Sequence, residues 1–374
     1  MRWLFLLVAF GLHGQTQPCG GPPPGGTEII KLPGKPFALA ETKDGCWIFA
    51  AMPVESTGIA VLSRKSGRVQ LARTAPMEGR YFGMVLSHDG KMLMVAADER
   101  VVFLDVDRLT SGKGDPLVGS VATGQRAESI WANVTVDDKF LFVADEYAAE
   151  ISVIDVAARA ILGKIPVGIA PIALTFSKDG KYLFNTSQGA KKEWNWPAAC
   201  TQEGRRGATE IVNPEGAISV IDVAKARTDP AKAVVHRVPA GCSPVRLSMS
   251  PAGDRLYTNA RNSNAVIAFD TAKLIGDPDH ARVGRVEVGT APVPILVFDG
   301  GKRLLAGNSN RFAGSNEGES LTVVDTAKMA VTGSIPAGAF PRDLKLSADG
   351  STVYLANFGS NTLQAMDAGK LPVK

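Results

Sequence analysis

Ser177-Lys178-Asp179-Gly180, followed after Lys181 by the apolar run Tyr182-Leu183-Phe184, decides the fold because it recurs. The same form stands at Thr42-Lys43-Asp44-Gly45, Ser87-His88-Asp89-Gly90 and Ser347-Ala348-Asp349-Gly350. Weaker copies lie at Val136-Asp137-Asp138, Ser250-Pro251-Ala252-Gly253-Asp254 and Asp299-Gly300-Gly301, which brings the turns to seven. Asp-Gly between apolar runs is a hairpin signal, since the tight turn needs positive φ.

Two further runs follow each turn. The first usually ends in Asp, as in Val102-Phe103-Leu104-Asp105, Val153-Ile154-Asp155 and Val323-Val324-Asp325. The second ends in Gly, as in Ile165-Pro166-Val167-Gly168 and Ile335-Pro336-Ala337-Gly338. Each unit of roughly 42–50 residues therefore carries four short strands, the period of propeller blades. The runs are β-branched and aromatic, which suits a buried pleated surface. The reading is an all-β, seven-bladed β-propeller with four-stranded antiparallel blades.

The two ends complete each other. The last unit stops after Ala365-Met366-Asp367 and lacks its fourth strand. Ile29-Ile30-Lys31-Leu32-Pro33-Gly34, ahead of the first unit, has the pattern of a fourth strand. The N-terminal strand is thus expected to complete the last blade and remove an open edge.

Leu256-Tyr257-Thr258-Asn259 with Ala265-Val266-Ile267-Ala268-Phe269-Asp270, and Phe142-Val143-Ala144-Asp145 with Ile151-Ser152-Val153-Ile154-Asp155, resemble the YVTN β-propeller repeat of exported bacterial proteins. The resemblance spans residues 28–374. It implies the fold and leaves the activity open, because the family holds surface and periplasmic binding proteins, while neighbouring propeller groups hold lactonases and haem- or quinone-linked enzymes.

The chain has 374 residues, 45% hydrophobic and 21% charged, with a formal charge of +4. That is ordinary globular composition, and the charge is too small to point to nucleic acid. Arg2, the apolar stretch 3–10 and the small or polar stretch 11–17 read as a signal peptide over residues 1–17. Residues 18–27 are a Gly/Pro-rich leader and 28–374 a single propeller. No segment has the roughly 20 apolar residues of a membrane helix. The expected location is the periplasm or the exterior, and the expected state a monomer.

Four cysteines in an exported chain suggest two disulfides. In a propeller meander, the turns after the inner strand a and the third strand c share one face, and the b–c and d–a loops share the other. Cys19 and Cys46 fall to the first face, Cys200 and Cys242 to the second. The expected pairs are Cys19–Cys46 and Cys200–Cys242, with free buried thiols as the alternative.

Blade four is longer than the others by about 30 residues, and long loops in compact domains are usually functional or disordered. The excess, about 187–214, contains Lys191, Lys192, Trp194, Trp196, Pro197, Cys200, Arg205 and Arg206. It reads either as a binding lid over the b–c/d–a face or as a loop packed on the ring. The same face should present Arg80, Glu128, Arg246 and Arg342 near the a-strand starts and Arg261 and Arg311 in b–c loops. Loop positions Asp98, Asp145, Glu146, Asn185, Asn259, Asn308 and Asn357 join them. Converging arginines favour an anion, because guanidinium binds carboxylate or phosphate in a fork.

Of four histidines, His13 is in the expected signal peptide, His88 in an a–b turn, His236 in an outer strand and His280 in a c–d connection. This argues against His-ligated haem, zinc or a Ser-His-Asp triad, and no cofactor or metal is expected. The expected function is non-catalytic binding of an anionic small molecule, peptide, glycan or envelope protein. The alternative is a lactonase-like hydrolase in the same funnel, with Glu128 beside Arg80, Arg246 and Arg342.

Overall fold

Six of the seven hairpin turns are built by one repeated hydrogen-bond set. The Ser or Thr hydroxyl donates to the Asp carboxylate, from Thr42 to Asp44 at 2.5 Å, Ser87 to Asp89 at 2.6 Å, Ser177 to Asp179 at 2.7 Å and Ser347 to Asp349 at 2.6 Å. The first amide of the next strand then donates back to that hydroxyl, as Trp47, Met92, Tyr182 and Thr352 do. Gly45, Gly90, Gly180 and Gly350 take φ between 67° and 75°, which only Gly adopts without strain. In the third unit Asp138 takes that place at φ 56°. The Asp closing each c strand has an equally local cause. Asp105, Asp155, Asp222, Asp270, Asp325 and Asp367 each accept a backbone N–H two or three residues on; the first five cap the turn or short helix that leads to strand d, and Asp367 caps the single turn Ala368–Lys370.

The computed structural model describes residues 19–203, 205, 207–311 and 319–372. The signal-peptide reading of residues 1–17 and Arg206 lie outside them. Seven four-stranded antiparallel sheets span 38–76, 84–122, 129–166, 169–239, 244–287, 292–336 and 341–367, the last completed by Thr27–Lys31. Thr27 pairs with Met366 and Lys31 with Thr362, so the N-terminal strand closes the ring as expected. The inner strand of each blade touches that of the next, and Pro341–Leu346 of the last touches Ala38–Glu41 of the first. The chain is a seven-bladed β-propeller.

The core lies between blades. Strands b and c are buried on both faces, as with Leu141, Phe142, Val143 and Ala144 in blade three, all at 0% exposure. Outer strands largely alternate half-buried and exposed positions. Both disulfides have the expected partners, Cys19–Cys46 and Cys200–Cys242. Among the described residues no helix is long and apolar enough to cross a membrane.

The insertion in blade four leaves strand b at Gly189, makes a single turn at Lys192–Trp194, and forms a hairpin from Ala198–Thr201 and Ile211–Pro214. It rejoins the blade at Ala217–Asp222.

Candidate functional site

Inner strands carry a repeated irregularity that shapes the mouth of the ring. Register shifts occur between Ser129 and Trp131, Pro171 and Leu174, Pro244 and Leu247, Pro292 and Ile295, and Pro341 and Asp343. Proline supplies no amide to the ladder, and a bulge there re-aims the side chains that follow. The residue just before each of these register shifts is left-handed: Glu128 (φ 45°), Ala170 (51°), Ser243 (52°), Ala291 (49°) and Phe340 (50°). Buried polar groups hold these kinks. Asn259 Oδ1 accepts the Arg246 amide at 3.0 Å, and Asn185 Nδ2 donates to the Ala173 carbonyl at 3.0 Å. Asn185, Asn259, Asn308 and Asn357 are thus structural strand residues at 0–1% exposure. The sequence reading of these asparagines as funnel-loop groups is corrected, and Asp145 shares their buried position.

The bulges of blades five and seven deliver Arg246 and Arg342 to the axis. The Arg246 guanidinium lies 3.8 Å from the centre of the Trp131 ring and 5.5 Å from that of Phe37. Arg342 lies 4.5 Å from Phe37 and 5.2 Å from Phe340. Phe37 therefore receives guanidinium groups from two blades, an arrangement the negative ring face supports. Such stacking occupies the faces of the guanidinium and leaves its N–H edges. Nε and Nη1 of Arg246, and Nε of Arg342, are buried and have no hydrogen-bond partner among the described residues. Burial lowers the Arg246 pKa to about 10, opposed by Asp343 and Glu146. Arg342 is lowered well below its usual value, first by burial and then by Arg246, Arg311 and Arg261, with Glu146 opposing.

Four of the expected arginines thus share one electrostatic neighbourhood. They do not share one state of neutralisation. Arg261 is 6% exposed, and its Nε donates to Glu203 Oε1 at 2.7 Å. Its Nη2 donates to Gln188 Oε1 at 2.5 Å, while Gln188 Nε2 donates to Glu146 Oε1 at 3.1 Å. Glu203 comes from the insertion and also accepts from the Ser243 hydroxyl. Below the mouth, an axial cavity of about 260 Å³ is lined by all seven inner strands, with Arg246, Asp343, Asn133 and Ser248 among its polar groups.

Arg80 and Glu128 stand on the opposite side of the mouth. Arg80 is held by Asp98 at 2.7 Å and reaches Glu128 Oε1 at 3.4 Å. Glu128 Oε2 is buried with no hydrogen-bond partner among the described residues. The Glu146 amide donates to the Glu128 carbonyl at 3.0 Å, which sets the two carboxylate-bearing residues side by side. Burial and then Glu128 raise the Glu146 pKa. An open groove of about 880 Å³ runs outward past Arg80, Asp98, Glu128 and the exposed Tyr147.

Trp194 and Trp196 are not with the arginines of the mouth. Their rings pack at 5.2 Å on each other, and Trp194 stacks on Arg237 of the outer strand Val234–Pro239 at 5.1 Å. Trp196 lines a flank cavity of about 480 Å³ with His236, Pro239 and Arg282. Of the two readings of the insertion, a lid or a loop packed on the ring, the tryptophans follow the second: Trp194 packs against the Arg237 guanidinium and Trp196 against Trp194, and Glu203 is the side chain that the insertion sends toward Arg261. His88 sits in its a–b turn 2.8 Å from Asp138, and His280 2.8 Å from Asp277, both remote from these groups. Among the described residues no three His, Cys, Asp or Glu side chains are grouped to hold a metal ion.

No family model matches the sequence, and no curated protein matches it. Solved structures do. A chain of Kuenenia stuttgartiensis hydrazine synthase is similar at a TM-score of 0.67 with 17% identity, over 90% of this chain and 96% of that one. A chain of a mitotic checkpoint complex is similar at 0.67 with 14% identity, over 97% and 99%. The likeness is one of fold. These identities carry nothing beyond the fold.

Sequence reasoning missed Phe37, Trp131, Glu203 and Asp343. Asp343 follows Arg342 directly, and Phe37 follows Pro36 just ahead of a bulge-free inner strand, so both had a positional signal. Glu203 had none, because its place depends on how the hairpin 198–214 folds back.

Proposed function

We propose that this protein is an exported, non-catalytic binding propeller that takes an anionic ligand at the mouth of its ring. The observation that carries the reading is the pair Arg246 and Arg342, in which Nε and Nη1 of Arg246 and Nε of Arg342 are buried without a hydrogen-bond partner among the described residues. Unmet donors on a buried cation are costly, and an oxyanion satisfies them with charge-assisted hydrogen bonds. Arg261 and Arg311 add positive potential, and Trp131, Phe37 and Phe340 keep the guanidinium planes fixed. The two disulfides and the absence of a membrane-spanning helix among the described residues support export. The hydrolytic alternative would use Glu128, one of whose two carboxylate oxygens is engaged by Arg80.

Calorimetric titration with sulfate, phosphate and citrate tests the reading. The expected result is binding by the wild type and a loss of at least about tenfold in Arg246→Gln and Arg342→Gln, the worth of one charge-assisted hydrogen bond. Unchanged affinity in both variants would remove the site.

A further inference from the structure

The mouth of the ring is bipolar. Arg246 and Arg261 come from blade five, Arg311 from blade six and Arg342 from blade seven, whereas Glu128 and Glu146 both come from blade three. The unmet hydrogen-bonding capacity divides in the same way. Among the described residues, the charged groups with unpartnered buried atoms on the arginine side are donors, at Nε and Nη1 of Arg246 and Nε of Arg342, while the neutral amide oxygens of Asn308 and Asn357, on the b strands of blades six and seven, are unpartnered as well. On the blade-three side it is an acceptor, Oε2 of Glu128, whose side chain is 12% exposed. A simple anion would satisfy the first set and leave the second as it is.

We propose that the ligand is zwitterionic, an amino acid or short peptide whose carboxylate meets Arg246 and Arg342 and whose ammonium group meets Glu128 and Glu146. This rests on the anion reading above and adds the second pole. Two neighbouring carboxylates repel each other, and a cation between them relieves that repulsion. Arg80 does not fill the role, since it sits 3.4 Å from Glu128 on the rim and is shared with Asp98 at 2.7 Å. The Glu146 carboxylate is tied through Gln188 to Arg261, which holds it at the border between the two poles. Phe37, Phe340 and Trp131 wall the arginine side, so an apolar side chain next to the ligand carboxylate has a surface to meet. An ammonium has three donors and no acceptor, which matches an acceptor-only pole. Selection for both charges also disfavours sulfate-like competitors, because they place no positive charge on the glutamates.

The test is a length series of oligoglycines of one to four residues and their phenylalanine-terminated counterparts, each also N-acetylated or C-amidated, titrated into the full-length protein by calorimetry. Affinity should peak at one length, which reads the span between poles. At that length, acetylating the amine should weaken binding at least about tenfold in the wild type and less than about twofold in Glu128→Gln or Glu146→Gln. Amidating the carboxylate should show the same pattern against Arg342→Gln. Cooperative thermal unfolding identifies variants that keep the fold, and two glutamate variants guard against one that does not. If free and acetylated peptides bind alike, or sulfate binds and no peptide does, the second pole is wrong and the anion reading stands. If neither peptides nor oxyanions bind, both readings fall.

Discussion

Arg64 of the first blade reaches Asp349 of the last at 3.3 Å, across the seam where the ring closes. Its Nη2 also donates to the Gly21 carbonyl at 2.6 Å and to the Thr352 hydroxyl at 3.0 Å, and its Nη1 lies 3.4 Å from Glu41. The Arg64 side chain is fully buried and that of Glu41 is 3% exposed. Burial is the main reason that the Glu41 pKa is raised. Arg64→Met leaves that carboxylate without its counter-charge, so a loss of about 3–5 kcal/mol is expected. Arg64→Lys should not restore it, because one ammonium cannot span both blades and the N-terminal segment. Urea unfolding midpoints at a constant slope provide the check; a shift within error would mean the seam does not depend on this hub.

Cys19 and Cys46 are 27 residues apart, and their bridge anchors the chain just before the closing strand Thr27–Lys31. The chain-entropy model gives the bridge on the order of 3–4 kcal/mol. Cys19→Ser with Cys46→Ser should therefore lower stability and speed amide exchange at 27–31 and at its partner Thr362–Asp367. The corresponding change at Cys200 and Cys242 should speed exchange in the hairpin 198–214 and leave 27–31 protected, because that bridge ties the insertion to the d–a loop. Exchange mapped by mass spectrometry separates the two; equal effects on 27–31 would show that Cys19–Cys46 is no local clasp.

The blade pattern was legible because its causes are local. The hydroxyl of Ser177, the carboxylate of Asp179 and the φ of Gly180 lie within four residues, and Asp222 caps the turn directly after it. The cysteine partners followed from which face each loop occupies. The inner-strand starts that carry Arg246 and Arg342 were legible, since Pro244 stands two residues before Arg246 and Pro341 directly before Arg342. What could not be read was non-local. Trp194 finds Arg237 some forty residues on, and Glu203 finds Arg261 across the b–c loop of the next blade. Asn185 and Asn259 looked like loop residues because Asn suits left-handed turns, yet they serve as buried partners of the backbone.

Glu203 sets the charge of the mouth by engaging Arg261. Glu203→Gln keeps the size of the side chain and removes its charge, so the positive field at Arg342 should increase. Sulfate affinity is expected to rise roughly three- to tenfold at low salt and to fall back toward the wild-type value at about 1 M, where screening acts within a few ångströms. Titrations at the two ionic strengths give the answer. A variant that binds sulfate more weakly would mean that Glu203 mainly orders Arg261 for binding.

Asp145 places a carboxylate at 0% exposure between the Ser129 and Ser152 hydroxyls, which donate at 2.7 and 2.6 Å, with Lys164 at 3.9 Å. Burial pushes its pKa up to about 6, against the opposing hydrogen bonds from Ser152 and Ser129 and the charge of Lys164. An acid whose folded pKa lies above its unfolded value binds its proton more tightly in the folded state. Its contribution is therefore complete below the unfolded value of 3.8 and declines as pH rises toward 6. Asp145→Asn keeps the shape and has no proton to lose. Relative to that variant, the wild type should become less stable by roughly 3 kcal/mol between pH 4 and 6 and follow a parallel course above it. Urea unfolding of both proteins at half-unit pH steps measures the difference; parallel curves throughout would show that burial does not lift Asp145 above its ordinary range.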